Sequence, residues 1–129
     1  MKRLVLLLLV LVSLLTGCGT VGTSGESSYQ QISQKEAKEM MDTQEVLILD
    51  VREQEEYDSG HIPDAVLLPV GTITEESAAE VIPGKDTTVL VYCRSGNRSK
   101  TAAKTLAGLG YTNIYEFGGI TTWPYEVEQ

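Results

Sequence analysis

From Gln31 onward, short apolar runs alternate with stretches of helical character. The capping-box pattern Ser33-Gln34-Lys35-Glu36 predicts a short helix reaching about Asp42. Val46 to Asp50 (VLILD) is too short for a helix and ends in charge, so it reads as a strand buried on both faces. Glu53 to Ser59 is polar and fits one or two helical turns ended by Gly60, and Val66 to Leu68 is a short strand stopped by Pro69. A helix over Thr74 to Val81 closes at Pro83-Gly84, and Thr88 to Tyr92 (TVLVY) is the second clear buried strand. Ser99 to Leu109 follows as a helix with Ala102, Ala103, Leu106 and Leu109 on one face, stopping at Gly110. Ile114 to Phe117 is a last strand before Gly118-Gly119. Strands alternating with helices predict an α/β domain with a central, mainly parallel sheet flanked by helices.

The beginning of the chain follows a different pattern. Lys2 and Arg3 precede an apolar run from Leu4 to Leu15, broken only by Ser13 and followed by Thr16-Gly17-Cys18. A membrane-spanning helix needs about 20 apolar residues, so this shorter run is expected to be an export signal. Leu15-Thr16-Gly17-Cys18 resembles the lipobox of bacterial lipoproteins, which implies a signal over residues 1–17 and lipidation at Cys18. Two or more acyl chains anchor stably, at about 0.8 kcal/mol per buried methylene. Gly19 to Ser28 is nearly all Gly, Ser and Thr, so residues 18–28 are expected to be a flexible, lipid-anchored tether. The folded domain then occupies residues 29–129, outside the cytoplasm on the cell membrane or outer membrane.

The chain has 42% hydrophobic and 22% charged residues, a balance that suits one globular domain after the leader. Taking Lys2 and Arg3 from its 10 basic residues leaves eight against 18 acidic ones, a net of −10. Nucleic acid is therefore not an expected partner. Two cysteines cannot build a multi-bridge disulfide scaffold, which leaves open what each one does. Neither a metal nor a cofactor is expected.

Ligands of parallel sheets bind beyond the carboxyl ends of the strands, and this selects Asp50-Val51-Arg52 and Cys93. Cys93 opens Cys93-Arg94-Ser95-Gly96-Asn97-Arg98, between a buried strand and a helix. A loop so placed can turn successive backbone N–H groups inward, and the helix adds its positive end, making an anion cradle that contains a sulfur. Gly96 and Asn97 accept left-handed backbone angles, and a thiol in such a cradle is expected to ionise more readily than usual. Arg94, Arg98, Lys100 and Lys104 crowd this segment, and no acid occurs between Asp86 and Glu116. Cys93 is the expected nucleophile. Arg94 is expected to meet an anionic donor at the mouth, Arg98 to turn into the cradle or brace it, and Ser95, Gly96 and Asn97 to offer backbone N–H groups.

These residues resemble the rhodanese-like sulfurtransferases. The likeness runs through Asp50-Val51-Arg52-Glu53, Glu56-Tyr57, Gly60-His61-Ile62-Pro63-Asp64-Ala65, Tyr92 to Ser99, and Gly118-Gly119-Ile120 with Trp123. It implies that Cys93 takes a sulfur from thiosulfate or another small anionic donor and passes it to cyanide or a thiol. Four residues separate Cys93 from Arg98, where cysteine phosphatases and arsenate reductases have five, and the smaller ring suits one added sulfur. The alternatives are a non-catalytic module that binds an anion or a partner protein, and a phosphatase-like or arsenate-reducing enzyme. His61 is expected to be scaffold bonded to backbone, and Asp50 and Arg52 stay ambiguous between site and cap. Asp64 stands where the family commonly has Gly.

Overall fold

Five parallel strands form the centre of the chain, as a computed structural model describes it for residues 28–129. The expected signal, Cys18 and the tether up to Gly25-Glu26-Ser27 lie outside the described residues. The strands are β1 (Gln30–Gln31), β2 (Leu47–Asp50), β3 (Val66–Leu67), β4 (Val89–Cys93) and β5 (Ile114–Gly119), in the spatial order β1-β5-β4-β2-β3. Between them come α1 (Gln34–Thr43), α2 (Gln54–Ser59), α3 (Glu75–Val81) and α4 (Asn97–Gly108). The α/β class and the central parallel sheet are as the sequence predicted.

Side chains of a strand alternate between faces, and here that alternation sorts the core into two layers. Leu49, Val51, Val89, Val91, Cys93 and Ile114 pack with Ala78 and Ile82 on the α3 side and with Ala102, Ala103 and Leu106 of α4. Ile48, Leu90, Tyr92 and Phe117 face the other way, against Ala37 and Met40 of α1 and Tyr57 beside them. Continuous apolar runs such as VLILD therefore mark strands buried from both sides.

Local chemistry sets the ends of the helices. Ser33 Oγ accepts the Glu36 N–H at 3.0 Å, while the Glu36 carboxylate takes the Ser33 hydroxyl at 3.2 Å, so the expected capping box bonds side chain to side chain on its return leg. Asn97 begins α4, two residues earlier than the apolar pattern indicated, because Gly96 adopts φ 106° and turns the chain into the helix at once. β1 was not expected. Its two glutamines show no apolar alternation, and it exists through its pairing with Tyr115 and Glu116. Asp64 has φ 69°, the left-handed region where Gly is the easy residue and Asp is tolerated.

Candidate active site

β4 delivers Cys93 to the carboxyl edge of the sheet, with its side chain on the α4 face. The Gly96 N–H donates to Cys93 Sγ at 3.0 Å, and Sγ lies 3.4 Å from Ser99 Oγ. Burial opposes ionisation of this thiol. The Ser99 hydroxyl and the backbone N–H groups of Ser99, Gly96 and Ser95 outweigh that cost and hold the thiol below its ordinary value. Cys93 exposes only 1% of its surface, so the sulfur is covered by the loop while lying against its donors.

The loop rests on a glycine floor. A side chain at Gly119 would overlap the backbone of Arg94 and Ser95, and Gly118 underlies Gly96. The Arg94 carbonyl is held by the Thr121 N–H at 3.2 Å and its hydroxyl at 3.0 Å. The pairing of β4 with β5 shifts register between Val91 and Cys93, which brings Cys93 opposite Gly119. The turn Gly118-Gly119 thus carries the loop.

The Gly96 N–H meets the sulfur and the Ser95 N–H favours its anion, while Arg94 is exposed beside them. Asn97 belongs to the first turn of α4 rather than to the loop. The Arg98 guanidinium does not turn into the cradle. It is bound by both carboxylate oxygens of Glu56, at 2.7 and 2.8 Å, and so braces α4 against α2 from outside, with its charge still reaching Cys93. Arg98 in turn holds the Glu56 carboxyl down to about 2.

Ser99 and Glu116 were missed. Ser99 is fully buried, and its Oγ lies 2.6 Å from Glu116 Oε2, which also takes the Gly118 N–H at 2.7 Å. A signal was present: Glu116 shares its strand phase with Ile114 and therefore points into the core.

Asp50, Arg52 and Tyr92 form a separate polar cluster on the opposite face of the sheet. Asp50 accepts from the Arg52 guanidinium at 2.7 to 3.1 Å and from the Tyr92 hydroxyl at 2.7 Å. Arg52 also donates to the Gly60 carbonyl, and Tyr92 accepts the Ile62 N–H. Burial pushes the Tyr92 hydroxyl far above its usual value. His61 contacts the Tyr57 carbonyl at 2.9 Å and stacks on the Tyr57 ring at 3.8 Å, the backbone-bonded role expected of it.

Comparison with known proteins gives a consistent result. The model of the rhodanese-like domain matches residues 33–125. A thiosulfate sulfurtransferase GlpE of Coxiella burnetii is 36% identical over 96 residues, covering 74% of this chain and 87% of that protein. A sulfurtransferase of Allochromatium vinosum is 39% identical over 92 residues, covering 70% and 83%. Among solved structures, a rhodanese with anions from E. coli superposes with a TM-score of 0.61 at 30% identity, covering 66% of this chain and 99% of that one.

Proposed function

The chain belongs to the rhodanese-like domain family and is a sulfurtransferase of the single-domain kind, and on that premise we propose that it carries a sulfane sulfur on Cys93 from a small anionic donor to a nucleophilic acceptor. The supporting observation is the sulfur itself, which meets inward backbone N–H groups at a strand-to-helix turn and is biased toward its anion. With thiosulfate as donor, the Cys93 thiolate attacks the outer sulfur, the S–S bond of the donor breaks, and sulfite leaves with the electron pair. The loaded sulfur is the terminal anion of a persulfide, stabilised by the same donors. Cyanide or a thiolate then attacks that terminal sulfur, leaves as thiocyanate or a new persulfide, and returns the Cys93 thiolate.

Supplying thiosulfate to the purified protein and measuring its intact mass tests this. The expected result is a gain of one sulfur that cyanide removes and that Cys93→Ser lacks. Burial of Cys93 to 1% favours a second reading, an anion-binding module without turnover. Anion binding that survives Cys93→Ser, with no sulfur gained by the unaltered chain, would establish that reading instead.

The setting we propose is extracytoplasmic. Lys2-Arg3, the apolar run Leu4 to Leu15 and the ending Leu15-Thr16-Gly17-Cys18 support a lipid anchor on Cys18 and a tether through Ser28. Metabolic labelling with a fatty acid tests it: label should enter the unaltered protein and be absent from Cys18→Ala.

A further inference from the structure

Ser99 lies between two groups that both want its proton. Its Oγ carries one hydrogen and faces Glu116 Oε2 at 2.6 Å, the Gly96 carbonyl at 3.0 Å, the Gly118 carbonyl at 3.4 Å and Cys93 Sγ at 3.4 Å. A hydroxyl-to-carboxylate bond of 2.5 to 2.7 Å is about the length of a charge-assisted one, so the carboxylate holds the stronger claim. With the proton turned to Glu116, Oγ presents a lone pair to the sulfur, a partner for S–H and not for S⁻. With the proton turned to the sulfur, the thiolate gains a donor. The path through Ser99 also puts the carboxylate within about 6 Å of the sulfur, where a like charge disfavours ionisation.

Glu116 also takes the Gly118 N–H at 2.7 Å, a bond that an amide oxygen in its place can keep. It exposes 3% of its surface, and among the described residues its second oxygen meets only the Gln31 amide, at 3.4 Å. The charges around the relay are committed elsewhere: Arg98 of α4 to Glu56 of α2, and Arg52 to Asp50 and the Gly60 carbonyl across the sheet. β1 contributes the uncharged Gln31, and Arg94 is exposed to solvent.

We propose that Glu116 is a positioning residue that acts through Ser99, competing with the Cys93 sulfur for the single hydroxyl proton and so setting how firmly the sulfur holds negative charge. In the sulfur-transfer reading, on which this consequence rests, Glu116 keeps the thiolate basic. Once ionised, a more basic thiolate attacks a donor faster and leaves a persulfide more slowly, so above the midpoint of the thiol Glu116 favours loading over release.

The test reads alkylation of Cys93 by iodoacetamide across a pH series, in the full chain in detergent, by mass of the peptide that carries Cys93. No sulfur donor is present. Glu116→Gln keeps an acceptor oxygen but removes the charge, and is expected to lower the midpoint by about one pH unit, roughly a tenfold gain in rate below the midpoint. Ser99→Ala with Glu116 intact is expected to change the rate less than about threefold, because the sulfur shares that hydroxyl with the carboxylate and keeps the backbone N–H groups of Ser95, Gly96 and Ser99. In the Glu116→Gln background the same Ser99→Ala change should slow alkylation about tenfold. Ser99→Ala slowing the unaltered protein tenfold, or Glu116→Gln leaving the midpoint in place, would overturn the proposal. If Glu116→Gln does not fold, the Ser99→Ala result decides alone. Thiosulfate supplied to a separate sample that has met no alkylating agent separates the two claims: the expected titration with no sulfur gained keeps the competition and removes the sulfurtransferase reading.

Discussion

Tyr92 and Cys93 are consecutive residues of β4, and they end in two different kinds of buried polar region. On the Tyr92 face, Asp50 meets the Arg52 guanidinium and the Tyr92 hydroxyl, and their remaining bonds go to the Gly60 carbonyl and the Ile62 N–H. Full charges there cancel, and the cluster ties β2, β4 and the Gly60–Ile62 turn together. On the Cys93 face no ion pair among the described residues neutralises the sulfur, since Arg98 is engaged by Glu56. Backbone dipoles and one shared hydroxyl hold the charge instead. Pairing a buried charge makes scaffold, whereas holding it with fixed dipoles leaves it free to react.

The difference can be broken from either side. Asp50→Ala strands the buried Arg52 and should cost about 3 to 5 kcal/mol of stability in chemical unfolding. Sulfur gained per folded molecule should stay near that of the unaltered chain, which sets scaffold apart from site. Gly119→Ala attacks the other face, because its Cβ would overlap the Arg94 and Ser95 backbone. It should cut sulfur loading about a hundredfold, the lower end of the scale of losing one oriented donor to a developing anion, while near-ultraviolet circular dichroism shows a folded core.

Smaller changes sharpen the comparison. Glu56→Gln releases Arg98 and gives the sulfur a nearer unpaired cation, so alkylation of Cys93 should shift to lower pH. The same variant should lose about 1 kcal/mol at neutrality, a modest figure because the pair is partly exposed. The folded Glu56 carboxyl sits at about 2 against an ordinary 4.5, so the bond contributes fully above that ordinary value. As pH falls from about 4.5 toward 2 that contribution is lost, and the stability gap between variant and parent should close. Asp64→Gly is the mildest: relieving φ 69° at a non-glycine residue should raise stability by up to about 1 kcal/mol in thermal unfolding.

Most of the fold was legible because each layer of the core has its own periodic signature. VLILD and TVLVY announced strands covered on both faces, and Ala102, Ala103, Leu106 and Leu109 announced a helix with one apolar face. The nucleophile was legible for a related reason, since Cys93-Arg94-Ser95-Gly96-Asn97-Arg98 is no core sequence yet follows a core strand. β1 was illegible because Gln30-Gln31 has no pattern of its own. For Arg98 the sequence left two roles, turning into the cradle or bracing it, because charge spacing along the chain cannot show that Glu56, 42 residues earlier, would claim it.

The amino-acid order alone determined strands β2 to β5, where the chain turns and which cysteine ends a buried strand, since these follow from local periodicity and backbone freedom. Only the folded arrangement decided who neighbours the sulfur. Ser99 and Glu116 come to it from a helix turn and a separate strand, and Gly119 admits the loop only once the register of β4 against β5 has shifted. Hydrogen-bond partners far apart in the chain are chosen by packing, and so the balance of charge at Cys93 is a property of the tertiary structure.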